Sequence, residues 1–443
     1  MLEILKDRSY RHLFLAQLVA LLGTGLATVA LGLLAFDLAG ESAAMVLATI
    51  LTLKMVVYVT IAPVAGAFAG RFERRKLLVV LNLIRAAAAV CLPFVTEVWQ
   101  VYILIIFLQS ASAVFTPTFQ ATIPDVLPDE EQYTNALSMS RLAYDLENII
   151  SPTLAALLLT LMSSGSLFWG TAIGFVASAF LVLSVVLPSP KPSTEKSVYA
   201  RTFSGIRIYL ATPRLRGLLG LNLSVAAAGA MVLINSVVLV RSQLGLGESA
   251  LAWTLFAFGA GSMIAALVIP KLLKSIAERT AMMAGAVIMI VALLSLTSYI
   301  LANGLNWPVL LLAWLIVGLG YSTVQTPAGR LLRRSAHAED RPALFAAQFA
   351  LSHACWLGTY PLSGWLMTEF GTVPALLVLA GLTVLGLVIA MIVWPAADPV
   401  DLPHQHTHLP PDHPHLESGV RHSHAYVIDN IHRHWPDANK NAD

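Results

Sequence analysis

Two sets of residues in this chain are placed to do chemistry. The first is histidine. Nine of the twelve histidines fall in the last forty residues, at H-x-H spacing: His404, His406 and His408, His413 and His415, His422 and His424, and His432 and His434. In an extended chain residues two apart point the same way, at ~3.3 Å rise each, so such a pair offers two imidazoles to one ion. Neutral imidazole suits zinc, copper, nickel and cobalt. The plainer account is a solvated low-complexity tail. A cloning tag is normally an unbroken run. The second set consists of ionisable residues inside apolar segments: Arg141, Asp145 and Glu147 in one, Lys54 and His353 in two others. A charge at bilayer depth costs ~2.5–3.5 kcal/mol on insertion scales, so each needs a partner or a function.

Spacing assigns some of those partners. Arg141 and Asp145 are i, i+4 and can pair along one helix face, which is also the purely structural account of both. Glu147 lies about 160° round the helix from Asp145 at 3.6 residues per turn, so it cannot share Arg141 and must face another helix or water. It is the first choice for an acid that exchanges protons. Lys54 falls near the same depth, and a Lys54–Glu147 pair can be a permanent bridge or one that opens on protonation. His353 shares its segment with Gln348, Ser352 and Cys355. Matching Pro152 with Pro361 sets it opposite Tyr144, level with the two acids. A lone histidine in an apolar helix is commonly a packing residue, yet His with Asp or Glu also makes a weak site for a divalent borderline ion. Arg85, in another apolar segment, is expected to snorkel toward the inner surface.

The elements that must position these groups are membrane spans. Hydrophobic residues make up 57% of the chain and charged residues 12%, against ~25% charged in soluble domains. Twelve runs can cross ~30 Å of hydrocarbon, roughly 12–37, 44–69, 77–96, 99–119, 133–162, 167–188, 216–240, 249–270, 280–302, 307–327, 342–368 and 372–394. The first is long enough to span, so no cleaved signal peptide is expected. With the N-terminus in the cytoplasm, the inner loops hold nearly all loop Lys and Arg, and the outer loops hold only Arg241. Twelve spans then return the tail to the cytoplasm. The longest polar interruption, 189–213, divides the chain into an N-terminal six-helix bundle at 1–188 and a C-terminal one at 214–395, with a His-rich tail at 396–443. The Pro, His and Asp content of the tail predicts disorder. Thr116-Pro117 and Thr326-Pro327 close the fourth and tenth spans and hint at a repeat, as in transporters with the site between duplicated halves. Cys91 and Cys355 offer no disulfide framework. No P-loop, H-E-x-x-H, G-x-S-x-G or nucleic-acid motif appears, so ATP-driven transport, hydrolysis and nucleic-acid binding are not expected.

The segment Gly66-Ala-Phe-Ala-Gly70-Arg71-Phe72-Glu73-Arg74-Arg75-Lys76 resembles the G-x-x-x-D-R-x-G-R-R loop of the major facilitator superfamily. Gly70 stands for the acid and Glu73 for a glycine, which puts the usual interhelical bridge through that acid in question. Ser151-Pro152-Thr-Leu-Ala resembles a degraded antiporter motif, and TFQATIPDVLPDEEQYTNALSMSR is similar to the branch holding siderophore exporters and nickel-resistance permeases. The resemblance covers about residues 1–395. It implies an all-α membrane protein of twelve transmembrane helices in two six-helix bundles, with Gly66, Gly70, Arg71, Arg74 and Arg75 in a gating loop. With the tail, it implies a proton-antiporting exporter of nickel or cobalt in a bacterial inner membrane, both termini cytoplasmic. Glu147, Asp145, Arg141, Lys54 and His353 would form the path, and the nine tail histidines would hold metal. Beyond divalent metal, protons and lipid, no cofactor or partner is expected, and the chain is expected to act as a monomer. The rival expectations are a siderophore or drug exporter of the same fold, with Trp253, Trp314 and Trp356 against the substrate, and a transporter-like metal sensor.

Overall fold

The computed structural model describes residues 2–39, 43–69, 72–159, 161–188, 198–399, 401–405, 421–429, 431–432 and 434–436. Among them, twelve helices of 17 residues or more follow one another: α1 (Arg8–Ala39), α2 (Ala43–Ala69), α3 (Arg74–Cys91), α4 (Val98–Val126), α5 (Glu130–Leu159), α6 (Leu167–Leu183), α8 (Pro213–Val237), α9 (Glu248–Leu272), α10 (Glu278–Asn303), α11 (Trp307–Gln325), α13 (Arg341–Phe370) and α14 (Thr372–Val393). Two short helices complete the set, α7 (Val198–Ala211) in the central linker and α12 (Ala328–Arg334) after α11. In hydrocarbon every backbone polar group must be met within its own segment, so runs this apolar become continuous helices. Eight are long and apolar enough to cross a bilayer on length and composition alone. The exceptions include α2, which carries Lys54, α5, which carries Arg141, Asp145 and Glu147, and α13, which carries His353.

Local signals set the helix ends. Glu97 and Gln100 form a capping box at the start of α4. Proline stands in the first turn of α8, α11 and α13, where its missing N–H costs nothing. Gly304 and Gly371 end α10 and α13 at φ of 80° and 82°, a backbone region L side chains rarely enter. One boundary departs from expectation. α4 runs through Pro117 and on to Val126, because its neighbours bury this stretch and tertiary packing overrides the proline signal. α11 does stop at Gln325, just before Thr326-Pro327. α8 continues into a π-helical turn, Val238–Gln243.

Packing separates two six-helix bundles. α1 lies on α6 and α5, and α3 bridges α4 and α6. In the second bundle α8 lies on α14 and α13, and α11 joins α9 and α10. Small residues let the backbones approach: a Cβ on Gly174 would lie 3.0 Å from the Val19 carbonyl oxygen, and one on Gly285 2.8 Å from that of Gly320. The bundles meet through α2 against α13, α5 against α9, and α4 against α13. α7 lies across α2 and α13, tying the linker to both.

The tail is not unstructured where it is described. β1 (Asp401–Gln405) and β2 (Arg421–Ala425) pair antiparallel, with His404 opposite His422 and Leu402 opposite His424. Tyr426 and Ile428 are buried in the core of the second bundle. Composition alone predicts disorder, but these apolar residues find a surface to cover, and that burial offsets the ordering entropy.

Candidate functional site

Arg141 and Asp145 pair along α5 as their spacing requires, Nη2 to Oδ1 at 2.7 Å. The pair also reaches across the bundle interface. The Arg141 Nε–H donates to the Ser262 hydroxyl on α9 at 3.1 Å, and its guanidinium lies 4.8 Å from the Tyr321 ring centre on α11. Asp145 is 1% exposed, and its Oδ2 has no hydrogen-bond partner. A buried carboxylate oxygen with a lone pair to spare can accept a proton or a donor from cargo. Tyr321 opens an aromatic run in the second bundle, packing on Phe258 and Trp356, with Trp356 on Tyr360.

Glu147 turns the other way, as its angle from Asp145 predicts. A Cβ on Gly25 of α1 would sit 3.4 Å from its Cγ. Lys54 on α2 is the charge it feels, but the two make no direct bridge in this conformation. Instead the Lys54 ammonium lies 5.6 Å from the Tyr58 ring centre, one turn along α2. Tyr58 donates its hydroxyl to Gln109 of α4 at 2.8 Å and meets His353 of α13 edge-on at 4.9 Å. His353 donates Nδ1–H to the Phe349 carbonyl at 2.7 Å, which leaves the Nε2 lone pair. The residues expected to form the path therefore fall into two centres. Arg141–Asp145–Ser262–Tyr321 is one, and Lys54–Tyr58–Gln109–His353 is the other, with Glu147 at the edge of the second.

The expected convergence of His353 with Asp145 and Glu147 is not formed here. His353 meets Tyr58 rather than Tyr144, because α13 packs on α2, not on α5. Tyr58, Gln109, Ser262 and Tyr321 carry little signal in the sequence; the amide of Gln109 in an otherwise apolar run is the one mark on any of them. Arg85 does not snorkel. It is 4% exposed, with its guanidinium 4.1 Å from the Phe115 and 4.4 Å from the Phe175 ring centres, and it donates to Asn82. Two aromatic faces hold it more cheaply than a stretched chain would. Of the tryptophans, Trp314 is fully buried and donates to Ser236, Trp253 is exposed, and only Trp356 joins the aromatic run.

At the end of the molecule that carries the α2–α3 loop, charge ties the two bundles together. The first bundle supplies acids and the second supplies bases. Arg341 reaches Asp125 at 2.7 Å, Lys274 reaches Glu131 at 2.6 Å, and Arg330 pairs with Glu130. The Tyr133 hydroxyl donates to the Gly329 carbonyl at 3.2 Å. Asp125 also holds Arg74, which is 2% exposed. Among the gating-loop residues, Arg74 thus bridges helices through Asp125, while Arg75 stays 3.7 Å from Glu73. Gly66 lies within α2. Gly70 and Arg71 lie outside the described residues. Asp125 was not read as a site residue, since its partner Arg341 stands 216 positions away. Asp125→Asn strips the charge that balances Arg74 and Arg341, a loss of about 2–5 kcal/mol at a buried pair. In a background without Cys91 and Cys355, a cysteine at Leu137, which packs against Gly329, is expected to label about tenfold faster in that variant. Unchanged labelling would mean that apolar packing alone holds this end shut.

The tail histidines form a third cluster. His404, His422 and His424 each offer a ring nitrogen, all within 4.8 Å of one another, the one such group among the described residues. His404 is 5% exposed, and burial pushes its imidazole down to about 4. His432 Nε2 lies 3.2 Å from His404 Nε2. Asp429 faces His432 Nδ1 at 3.1 Å and His337, on the α12–α13 connection, at 3.5 Å. Burial alone would raise the Asp429 carboxyl, but the hydrogen bonds from His337 and His432 outweigh it and hold the group well below the usual range. His434 is exposed, and its backbone carbonyl accepts the Tyr426 hydroxyl at 2.7 Å. His406, His408, His413 and His415 lie outside the described residues.

A family profile described as Major Facilitator Superfamily matches residues 13–233 and 218–416. The chain is 25% identical over 217 residues to the uncharacterized MFS-type transporter YfiS of Bacillus subtilis (strain 168), covering 47% of this chain and 51% of that protein. It is 30% identical over 136 residues to macrolide efflux protein A of Enterococcus faecalis, covering 30% and 42%, and 30% identical over 150 residues to that of Streptococcus pyogenes, covering 33% and 37%. The aligned part thus spans about half the length of these relatives or less. Two solved structures share the fold, each covering 87% of this chain and 99% of the other. They are the human organic anion transporter MFSD10 (TETRAN), at 14% identity and TM-score 0.74, and a bacterial homologue of the iron transporter ferroportin in an outward-facing state, at 15% and 0.73.

Proposed function

This chain belongs to the Major Facilitator Superfamily as a multi-pass membrane transporter, and on that premise we propose that it exports a divalent transition metal, nickel or cobalt, by proton antiport. The observation that carries the choice of cargo is the group His404, His422 and His424. Three imidazoles suit late first-row ions and not magnesium or calcium. They lie at the end where Arg74, Arg214, Arg330, Arg334 and Arg341 collect. The positive-inside rule makes that end cytoplasmic, in a bacterial inner membrane, so the tail meets metal on the side from which export starts.

In this reading the salt-bridged end closes the cytoplasmic side. Cargo released outward is exchanged for a proton that binds Glu147 or the open oxygen of Asp145. His353 supplies a lone pair through Nε2 when the bundles rock. A second reading is export of an organic compound. The similarity to two macrolide efflux proteins supports it, as does the aromatic run from Phe258 to Tyr360 beside Arg141.

Proteoliposomes with an imposed pH gradient separate the two. Nickel or cobalt movement driven by counterflowing protons is the expected result. Macrolide movement with no metal flux would give the second reading, and flux of neither would leave a metal sensor. In the same assay His353→Gln should lower nickel flux about tenfold, since an amide replaces an imidazole ligand poorly. Normal flux in that variant would make His353 a packing residue.

A further inference from the structure

We infer that His404, His422, His424 and His432 are the ligands of a single transition-metal site, separate from the membrane path, that exists only while the tail is folded against the second bundle. The inference deepens the metal reading above, on which its class of ion rests. Four imidazoles suit nickel, copper, zinc or cobalt.

Strand register builds most of the set. His404 stands directly opposite His422, and His424 stands opposite Leu402, so the three share one face of the ladder. The fourth member comes from the return of the chain after Ile428. His432 Nε2 is 3.2 Å from His404 Nε2. Nitrogens bound at ~2.0–2.1 Å to one tetrahedral ion stand about 3.3 Å apart, so this pair is already spaced as two ligands. The His404 ring centre is 4.8 Å from that of His422, 4.6 Å from His424 and 5.0 Å from His432.

An outer shell is also in place, and it ties the tail to the transporter body. Asp429 Oδ1 takes His432 Nδ1 at 3.1 Å, which fixes Nε2 as the ligating nitrogen. That same oxygen accepts the backbone N–H groups of Ile431 and His432 at 2.8 and 2.6 Å. Oδ2 of Asp429 faces His337 at 3.5 Å. Tyr426 and Ile428 are anchored in the core, and Trp435 lies 4.8 Å from the Arg214 guanidinium. His404 and His432 are 5% and 4% exposed. Independent H-x-H pairs on a solvated tail would have neither this burial nor an outer shell.

The test uses the full chain in detergent, titrated with nickel and separately with zinc by calorimetry. Trypsin cleavage after Arg421 is followed in parallel. One site stronger than the remaining tail is expected, and filling it should protect Arg421. His404→Ala, and His422→Ala with His424→Ala, should remove both effects. His434→Ala should leave both. Asp429→Asn keeps every imidazole and should weaken the site roughly 10–100-fold. Equal losses from His404→Ala and His434→Ala, with Asp429→Asn silent, would overturn the inference in favour of independent pairs. Nickel flux by the same variants keeps the two readings apart. Metal bound at the tail of a chain that moves no metal would sink the cargo reading alone, and metal flux with no tail site would sink this one alone.

Discussion

Glu147→Gln is expected to abolish accumulation driven by a pH gradient while sparing exchange of cargo between two equal pools. The amide keeps the shape that packs against Gly25 of α1, so folding should survive. What it loses is the carboxylate that can take up and release a proton beside Lys54. Uphill flux per inserted molecule should fall roughly tenfold or more. Exchange needs the bundles to rock but needs no proton, so it should persist. Both rates are read in proteoliposomes with labelled cargo. Gradient-driven flux at the parent level would move the coupling function to Asp145. Loss of exchange as well would make Glu147 a structural residue.

Arg141→Ala should be the most destabilising change in the membrane region. It leaves Asp145 at 1% exposure with no cation and removes the bond to Ser262 across the bundles. Breaking a buried pair by removing one partner costs about 3–5 kcal/mol. Removing both charges with apolar residues of similar size is often neutral, so Arg141→Met with Asp145→Leu should recover most of that stability. Transport should not return in the double variant, because the open carboxylate oxygen has gone. Thermal unfolding in detergent and flux in liposomes check the two halves of the prediction. A stable Arg141→Ala protein would show that water reaches Asp145. Transport by the double variant would remove this pair from the path.

Some of the α5 geometry was legible before the fold. Arg141 with Asp145, and Glu147 on the opposite side, follow from 3.6 residues per turn, and the helix keeps that promise. The assignment of His353 failed because of which helices touch. Pairing His353 with the α5 acids assumed that equal depth means contact, whereas α13 faces α2 and gives His353 to Tyr58. Depth is a coordinate along one helix; which helices touch is set by how their surfaces fit.

The sequence by itself determined the twelve spans, their near boundaries and the end where positive charge collects. Each follows from a local requirement: backbone hydrogen bonds must be satisfied within a segment in hydrocarbon, and cations favour one side. It also determined that His422 and His424 share a face wherever that stretch is extended, since an extended chain alternates every residue. Only the tertiary structure decided which distant residues meet. Arg341 on Asp125, Arg141 on Ser262 and His432 on His404 all join residues far apart in the chain. Such contacts depend on helix rotation, close approach at small residues such as Gly174 and Gly285, and strand register. The packing of the whole fixes those quantities, and no short window of residues contains them.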